Sequence, residues 1–215
     1  MRPVIGHLWS VSFLVSTIAL LDGCARLPET TRVIQNDDRV VVRLETVVNV
    51  DAYSQGTTLD IPADQLAALL RGFSVRQVSS IPIRYLKDAQ PPRKFLQERE
   101  IDALTPALLQ ALQSVGPDEL IRFEVLSPGR NPRYWRDVTG GWIKVRHRYF
   151  HLAVDYFHVE QPVRKTDSYD PNYPSPWTPE QMYSVYFEPN SQFVLDPQMN
   201  SFAVDLSQFS SSAAP

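Results

Sequence analysis

The chain predicts an α+β fold, a mainly antiparallel sheet with two principal helices in one domain over residues 39–206. Three observations point there. Strand patterns are mostly grouped after the second helix: Arg39–Val50 is rich in valine, then Ile121, Phe123 and Val125 alternate with Arg122 and Glu124, and Tyr149–Glu160 is one long strand-like run. Apolar residues recur at helical spacing in two stretches, at Leu66, Leu69 and Leu70 and at Ile101, Leu104, Leu108 and Leu112. The order strand, helix, strand, helix and then a meander favours local antiparallel pairing over crossover connections.

The first strand is Arg39–Val50. Asp60-Ile61-Pro62 then opens a helix, with Asp60 placed to cap and Pro62 in the first turn, where a missing N–H costs nothing; Gly72 ends it. Alternating apolar residues predict a strand over Ser74–Ile83, weakened at Pro82, and Lys87–Arg93 is a loop around Pro91-Pro92. Gln97–Val115 carries the clearest helical pattern. Thr105-Pro106 interrupts it in one of two ways, with Thr105 capping a second helix or Pro106 kinking a continuous one, and Gly116-Pro117 stops it.

Beyond Pro117 the chain turns to strands. Pro128–Pro132 is a loop, and Gly140-Gly141 reads as a turn leading into Trp142–Arg148. In Tyr149–Glu160, strict alternation puts Phe150, Leu152, Val154, Tyr156 and His158 on one face and Ala153, Phe157 and Val159 on the other. Asp170–Gln181 holds four prolines and runs extended, with Tyr173 and Trp177 pinning it to the surface or docking a partner. Tyr183–Glu188 and Gln192–Leu195 flank Pro189-Asn190-Ser191 as a hairpin, Ser201–Leu206 adds a strand or an extended tail, and residues 207–215 read as a disordered tail.

The N-terminus carries an address. Arg2 precedes an apolar stretch from Val4 to Leu21, broken by Gly6, His7, Ser10, Ser12, Ser16 and Thr17. A membrane span needs about 20 mostly apolar residues, so this shorter, serine-rich run reads as a signal peptide. The single cysteine follows at once, in Leu21-Asp22-Gly23-Cys24. That arrangement resembles the processing site of bacterial lipoproteins. The resemblance implies that residues 1–23 are removed and that Cys24 receives a diacylglyceryl group on sulfur and an acyl chain, such as palmitate, on its new amino group. Ala25, where an aspartate would imply inner-membrane retention, implies an outer-membrane protein facing the periplasm. Residues 24–38 then form the lipidated cysteine and a polar tether of about 20 Å as a flexible coil. Several acyl chains, at about 0.8 kcal/mol per buried methylene, hold such a protein stably on its membrane.

Composition narrows the function. Removing residues 1–23, which contain Arg2 and Asp22, leaves 20 Lys+Arg against 23 Asp+Glu, a net charge of −3. This is a mildly acidic domain, which argues against nucleic acid as a partner. With Cys24 acylated, no thiol remains for a disulfide, a zinc–thiolate site or a cysteine nucleophile. Of the histidines that remain, His147 and His151 are four residues apart on one strand face, about 13 Å, and His158 lies on the opposite face, so no metal or cofactor is expected. There is no Gly-x-Ser-x-Gly elbow and no glycine-rich phosphate loop.

The segment Ile121–Arg148 stands out by charge. Arg122, Arg130, Arg133, Arg136, Lys144, Arg146 and Arg148 face only Glu124 and Asp137, with Tyr134, Trp135 and Trp142 interleaved. On alternate strand positions these cations would make a basic face. Guanidinium forks suit phosphate and carboxylate oxygens, and indoles suit headgroup layers or sugar rings. The candidate anionic-surface residues are therefore Arg130, Arg133, Trp135, Arg136, Trp142, Lys144, Arg146 and Arg148, with Cys24 as the lipidation site. The bland alternative is a strand face neutralised by acidic neighbours. The expectation is a lipid-anchored envelope protein that binds or scaffolds without catalysis. Its partners would be the membrane through its anchor, and an envelope protein, anionic lipid or peptidoglycan. An envelope hydrolase acting on cell-wall or lipid substrate, and a glycan-recognition module, are the alternatives.

Overall fold

The computed structural model describes residues 30–46, 57–78, 91–163 and 182–207. Among these the fold is α+β, with ten strands, two helices and mostly antiparallel pairing, as the strand grouping predicts. The strands are β1 (Thr30–Asn36), β2 (Val40–Thr46), β3 (Phe73–Val78), β4 (Arg93–Lys94), β5 (Glu119–Pro128), β6 (Trp135–Arg146), β7 (Tyr149–Pro162), β8 (Met182–Phe187), β9 (Phe193–Asp196) and β10 (Ser201–Asp205). The helices are α1 (Ala63–Gly72) and α2 (Glu98–Ser114). A seven-stranded sheet runs β1-β2-β5-β6-β7-β10-β9, and a three-stranded sheet runs β4-β3-β8.

Both helices and the small sheet bury apolar residues against one face of the large sheet. Leu66, Leu69 and Leu70 of α1, Leu104, Leu108 and Leu112 of α2, and Phe73 and Phe187 of the small sheet share one core with Val40, Val42, Leu44, Ile121, Phe123 and Phe150. Each such side chain contributes about 1.5–3 kcal/mol by leaving water. Phe73 meets the Phe187 ring edge-on at 5.0 Å, which ties the small sheet to itself at the centre of this core.

Helix α2 begins with a reciprocal capping box, in which the Gln97 N–H donates to Glu100 at 2.8 Å. It is one continuous helix through Pro106. The proline ring lies on the exposed side, and the Thr105 hydroxyl donates to the Ile101 carbonyl at 2.7 Å. Asp60 does not cap α1. The N-cap is Pro62, and the Asp60 carboxylate instead accepts from the Gln113 side chain of α2 at 3.3 Å.

Four further local expectations are corrected. Residues 30–36 of the expected tether form β1, paired with β2, because Ile34 gains burial against the core. The strand expected over Ser74–Ile83 is present as β3 from Phe73 to Val78, and Pro82 lies outside the described residues. Gly140-Gly141 is not a turn but the middle of β6, and the turn falls on His147-Arg148, with His147 in the left-handed region at φ 53°. The reason is close backbone approach: a Cβ on Gly141 would sit 1.9 Å from the Ala153 carbonyl oxygen. In β7 the alternation breaks, since Val154 pairs with Gly141 but Tyr156 pairs with Gly140. Asp155 is the extra residue of that bulge. Phe157 therefore joins the core side, while Tyr156 packs with Leu126 and Val138 on the other. Finally, β8 and β9 do not form a hairpin. β8 pairs with β3 and β9 with β10, so the segment between them carries the chain from the small sheet to the large one.

The Asp170–Gln181 segment, Cys24 and the tail from residue 208 lie outside the described residues. Among the described residues no helix is long and apolar enough to cross a membrane.

Candidate functional site

The large sheet has a second face, turned away from the helices, and it is ionic. Val40, Val42 and Leu44 point to the core, so Arg43 and Glu45 point the other way; the same alternation puts Arg122 and Glu124, and then Lys144 and Arg146, on this face. These groups are mostly buried. Arg43 bonds Glu45 at 2.6 Å and lies 3.7 Å from Glu124; Arg122 lies 3.4 Å from Glu45 and also bonds Asp155. Burial pushes the Glu124 and Asp155 carboxyls up, against the pull of the neighbouring guanidiniums. It also pushes the Tyr156 hydroxyl up to about 12.

This corrects the expected basic face. Lys144 and Arg146 are 2% and 5% exposed, so they offer no open surface to an anion. Lys144 donates to the Pro117 carbonyl at 3.2 Å, and burial holds its pKa below the ordinary lysine value. Arg146 grips Asp196 through bonds of 2.9 and 3.0 Å from one guanidinium nitrogen. Trp142 is half-buried on the same face. Arg148 sits in the turn beyond, 3.3 Å from Asp205 and stacked on Tyr149. The acidic partners lie outside the basic segment, on β2, β7, β9 and β10, and strand pairing brings them to it.

The histidines are held structurally. His147 is exposed in the β6–β7 turn, outside the strand face on which alternation puts it. His158 sits at a second irregularity of β7, at φ 55°, with its ring 2.7 Å from Asp137. His151 is buried between Asp196, 3.1 Å from Nε2, and Ser201, 3.2 Å from Nδ1. Since Asp196 can only accept, Nε2 carries the proton and Nδ1 accepts from the Ser201 hydroxyl. Burial, chiefly, lowers the His151 pKa, with Arg146 and Lys144 adding to that and Asp196 opposing it. Serine, histidine and aspartate are thus in line. The aspartate, however, is already engaged by Arg146 and by the Gln198 N–H at 2.9 Å, which fits an interlock between β6, β7, β9 and β10. Among the described residues no three His, Cys, Asp or Glu side chains are grouped to hold a metal ion.

The remaining candidates gather at the far end of β6. Arg146 and Trp135 are eleven residues apart on that strand, about 36 Å. Arg130 is neutralised by Glu160, which accepts from both its side chain and its backbone N–H. Arg133 lies over the Tyr134 ring, 5.6 Å from its centroid, and Tyr134 and Trp135 are 55% and 43% exposed. Beside them opens a cleft of about 500 Å³. Trp135, Arg136, Val125, Leu126 and Pro128 line it, together with Arg39 of the β1–β2 turn and Arg99 of α2, so that guanidiniums from three elements border it.

The sequence reading missed Arg39, Arg99 and Glu100, because a cleft joins residues from the β1–β2 turn, the start of α2 and the start of β6. One local signal existed. Arg99 puts a cation in the first turn of α2, where the helix dipole favours anions. No protein-family model, curated protein or solved structure matches the chain.

Proposed function

We propose that this is a lipid-anchored protein of the bacterial envelope that binds rather than catalyses, held through Cys24 near one end of the large sheet and recognising its partner at the other. The supporting observation is the polarity of the sheet. Thr30, six residues after Cys24, pairs with Glu45, whereas the cleft lies beyond the opposite pair Asn36–Val41. Six residue steps along the strand separate the two ends by about 20 Å, and the six steps from an acylated cysteine to Thr30 reach at most about 20 Å. Such a chain keeps the Thr30 end near its membrane and turns the Arg133–Trp135 end towards the periplasm, where an envelope protein or the cell wall would meet it. The anchoring membrane's own lipid is the less favoured partner for that end.

Two measurements test this. Cys24→Ser is expected to move the protein out of the membrane fraction or leave an unprocessed precursor, and unchanged fractionation and mass would refute the anchor. A photo-crosslinker at Trp135 should capture a partner in cells that one at His147 does not, and Arg133→Ala should weaken the capture severalfold. Equal capture from both ends would refute the polarity. A hydrolase is the second reading, favoured by the Ser201–His151–Asp196 alignment; it requires turnover abolished by Ser201→Ala, which a binding module does not have.

A further inference from the structure

We infer that the cleft is a binding site for a small organic oxyanion, a phosphate or carboxylate carried on an apolar or planar group. The inference deepens the binding reading above and rests on it.

Three features of the cleft select that chemistry. First, the exposed charge is unbalanced. Arg39 and Arg99 are exposed on the cleft with Asp38, while Arg136 is half-buried and acts on Glu124 of the sheet face. Glu100 is 4% exposed and already engaged, accepting the Gln97 N–H at 2.8 Å and bonding the Ser127 hydroxyl at 3.2 Å. It offers little to a bound cation. Second, Arg99 is placed against local preference. It is exposed, in the first turn of α2, and pairs with no acid among the described residues. Glu98 and Glu100 of the same turn face the positive end of the helix but are engaged by Arg71 and by the capping box, so the Arg99 guanidinium stays open to a bound anion. Third, the wall is apolar and rigid. Leu126 is backed by the Tyr156 cluster, and the Trp135 backbone is fixed by its N–H to the Asn131 carbonyl at 2.8 Å and by the Gly129 N–H to its own carbonyl at 3.2 Å. The exposed indole can therefore cover a flat or aliphatic group while the guanidiniums hold oxygens in forked pairs. A volume of about 500 Å³ matches a small molecule rather than a bare ion.

The probe is n-hexyl phosphate, titrated calorimetrically into the full chain in phosphatidylcholine nanodiscs, with empty nanodiscs as the blank. Binding is expected to be at least tenfold tighter than that of inorganic phosphate or hexanol, and to weaken as salt is raised. The double variant Arg39→Gln with Arg99→Gln should lose at least tenfold, and Trp135→Ala should lose the advantage of hexyl phosphate over inorganic phosphate. Both substitutions are on exposed residues, and an unchanged melting temperature verifies the fold. Dihexanoyl phosphatidylglycerol binding tighter than hexyl phosphate would identify a lipid headgroup as the source; a carboxylate-ended dipeptide binding tighter would identify a peptide. No binding, equal binding of inorganic phosphate, or indifference to the double variant would overturn the inference. If partner capture through Trp135 persisted in that case, the binding reading would stand without this ligand.

Discussion

Asp196→Asn is expected to destabilise the fold by about 3–5 kcal/mol, the range for leaving one member of a buried ion pair uncompensated. Asp196 is fully buried and accepts from Arg146, His151 and the Gln198 N–H at once. An asparagine keeps the shape but leaves the Arg146 guanidinium, itself 5% exposed, without its counter-charge. Urea unfolding measures the loss. Adding Arg146→Met should recover part of it, because the stranded charge is then gone; a double variant as unstable as the sum of the singles would show that no coupling exists.

The same cluster sets an acid limit on stability. Burial pushes the Asp196 pKa up, but the Gln198 N–H and the Arg146 guanidinium outweigh it, and the carboxyl ends below its ordinary 3.8. A carboxyl with a lowered folded pKa stabilises above its unfolded value and loses that contribution as pH falls through the folded one. His151, lowered from 6.5 mainly by burial, acts in the same direction from a higher starting point. Protonation favours the unfolded chain, so this cluster's contribution to stability should decline once pH drops below about 6.5 and decline further below about 3.8. His151→Gln should remove the upper part of that decline. An unchanged slope between pH 6.5 and 5 would show that His151 does not carry it.

Gly141→Ala is expected to cost about 3 kcal/mol or more, at the upper end for overpacking, because the clash is with backbone. Its Cβ would meet the Ala153 carbonyl oxygen at 1.9 Å and the Val154 Cα at 3.0 Å, on the neighbouring strand. Neither can turn aside as a side chain would, so β6 and β7 must part. Hydrogen exchange should show faster amides on both strands around the Gly141–Val154 pair. Gly116→Ala is the control. There the nearest group is the Glu119 carboxylate at 3.2 Å, a side chain that can shift at the expense of its 2.7 Å bond from the Gly116 N–H, and the expected loss is about 1 kcal/mol.

The helices were legible because each carries its own periodic signal. Leu66, Leu69 and Leu70, like Leu104, Leu108 and Leu112, mark one face without reference to the rest of the chain, and all are buried. β2 and β5 were legible for the same reason. Gly140-Gly141 misled because glycine serves two purposes, a turn or a close approach, and only the position of β7 tells which. The alternation in β7 misled because a bulge leaves no mark on residue type. The basic segment misled most. Arg122, Arg130, Arg146 and Arg148 are neutralised by Glu45, Asp155, Glu160, Asp196 and Asp205, which pairing between strands brings to them.

From residue order alone came the α+β class, the two helices, most strand positions and the expectation of an acylated Cys24, since propensity, periodicity and a short local motif are written within a few residues. The tertiary structure alone decided which charges are buried against each other and which remain exposed at Arg39, Arg99 and Arg133. Coulombic pairing acts over a few ångströms of space, and strand register, not sequence distance, sets who stands that close.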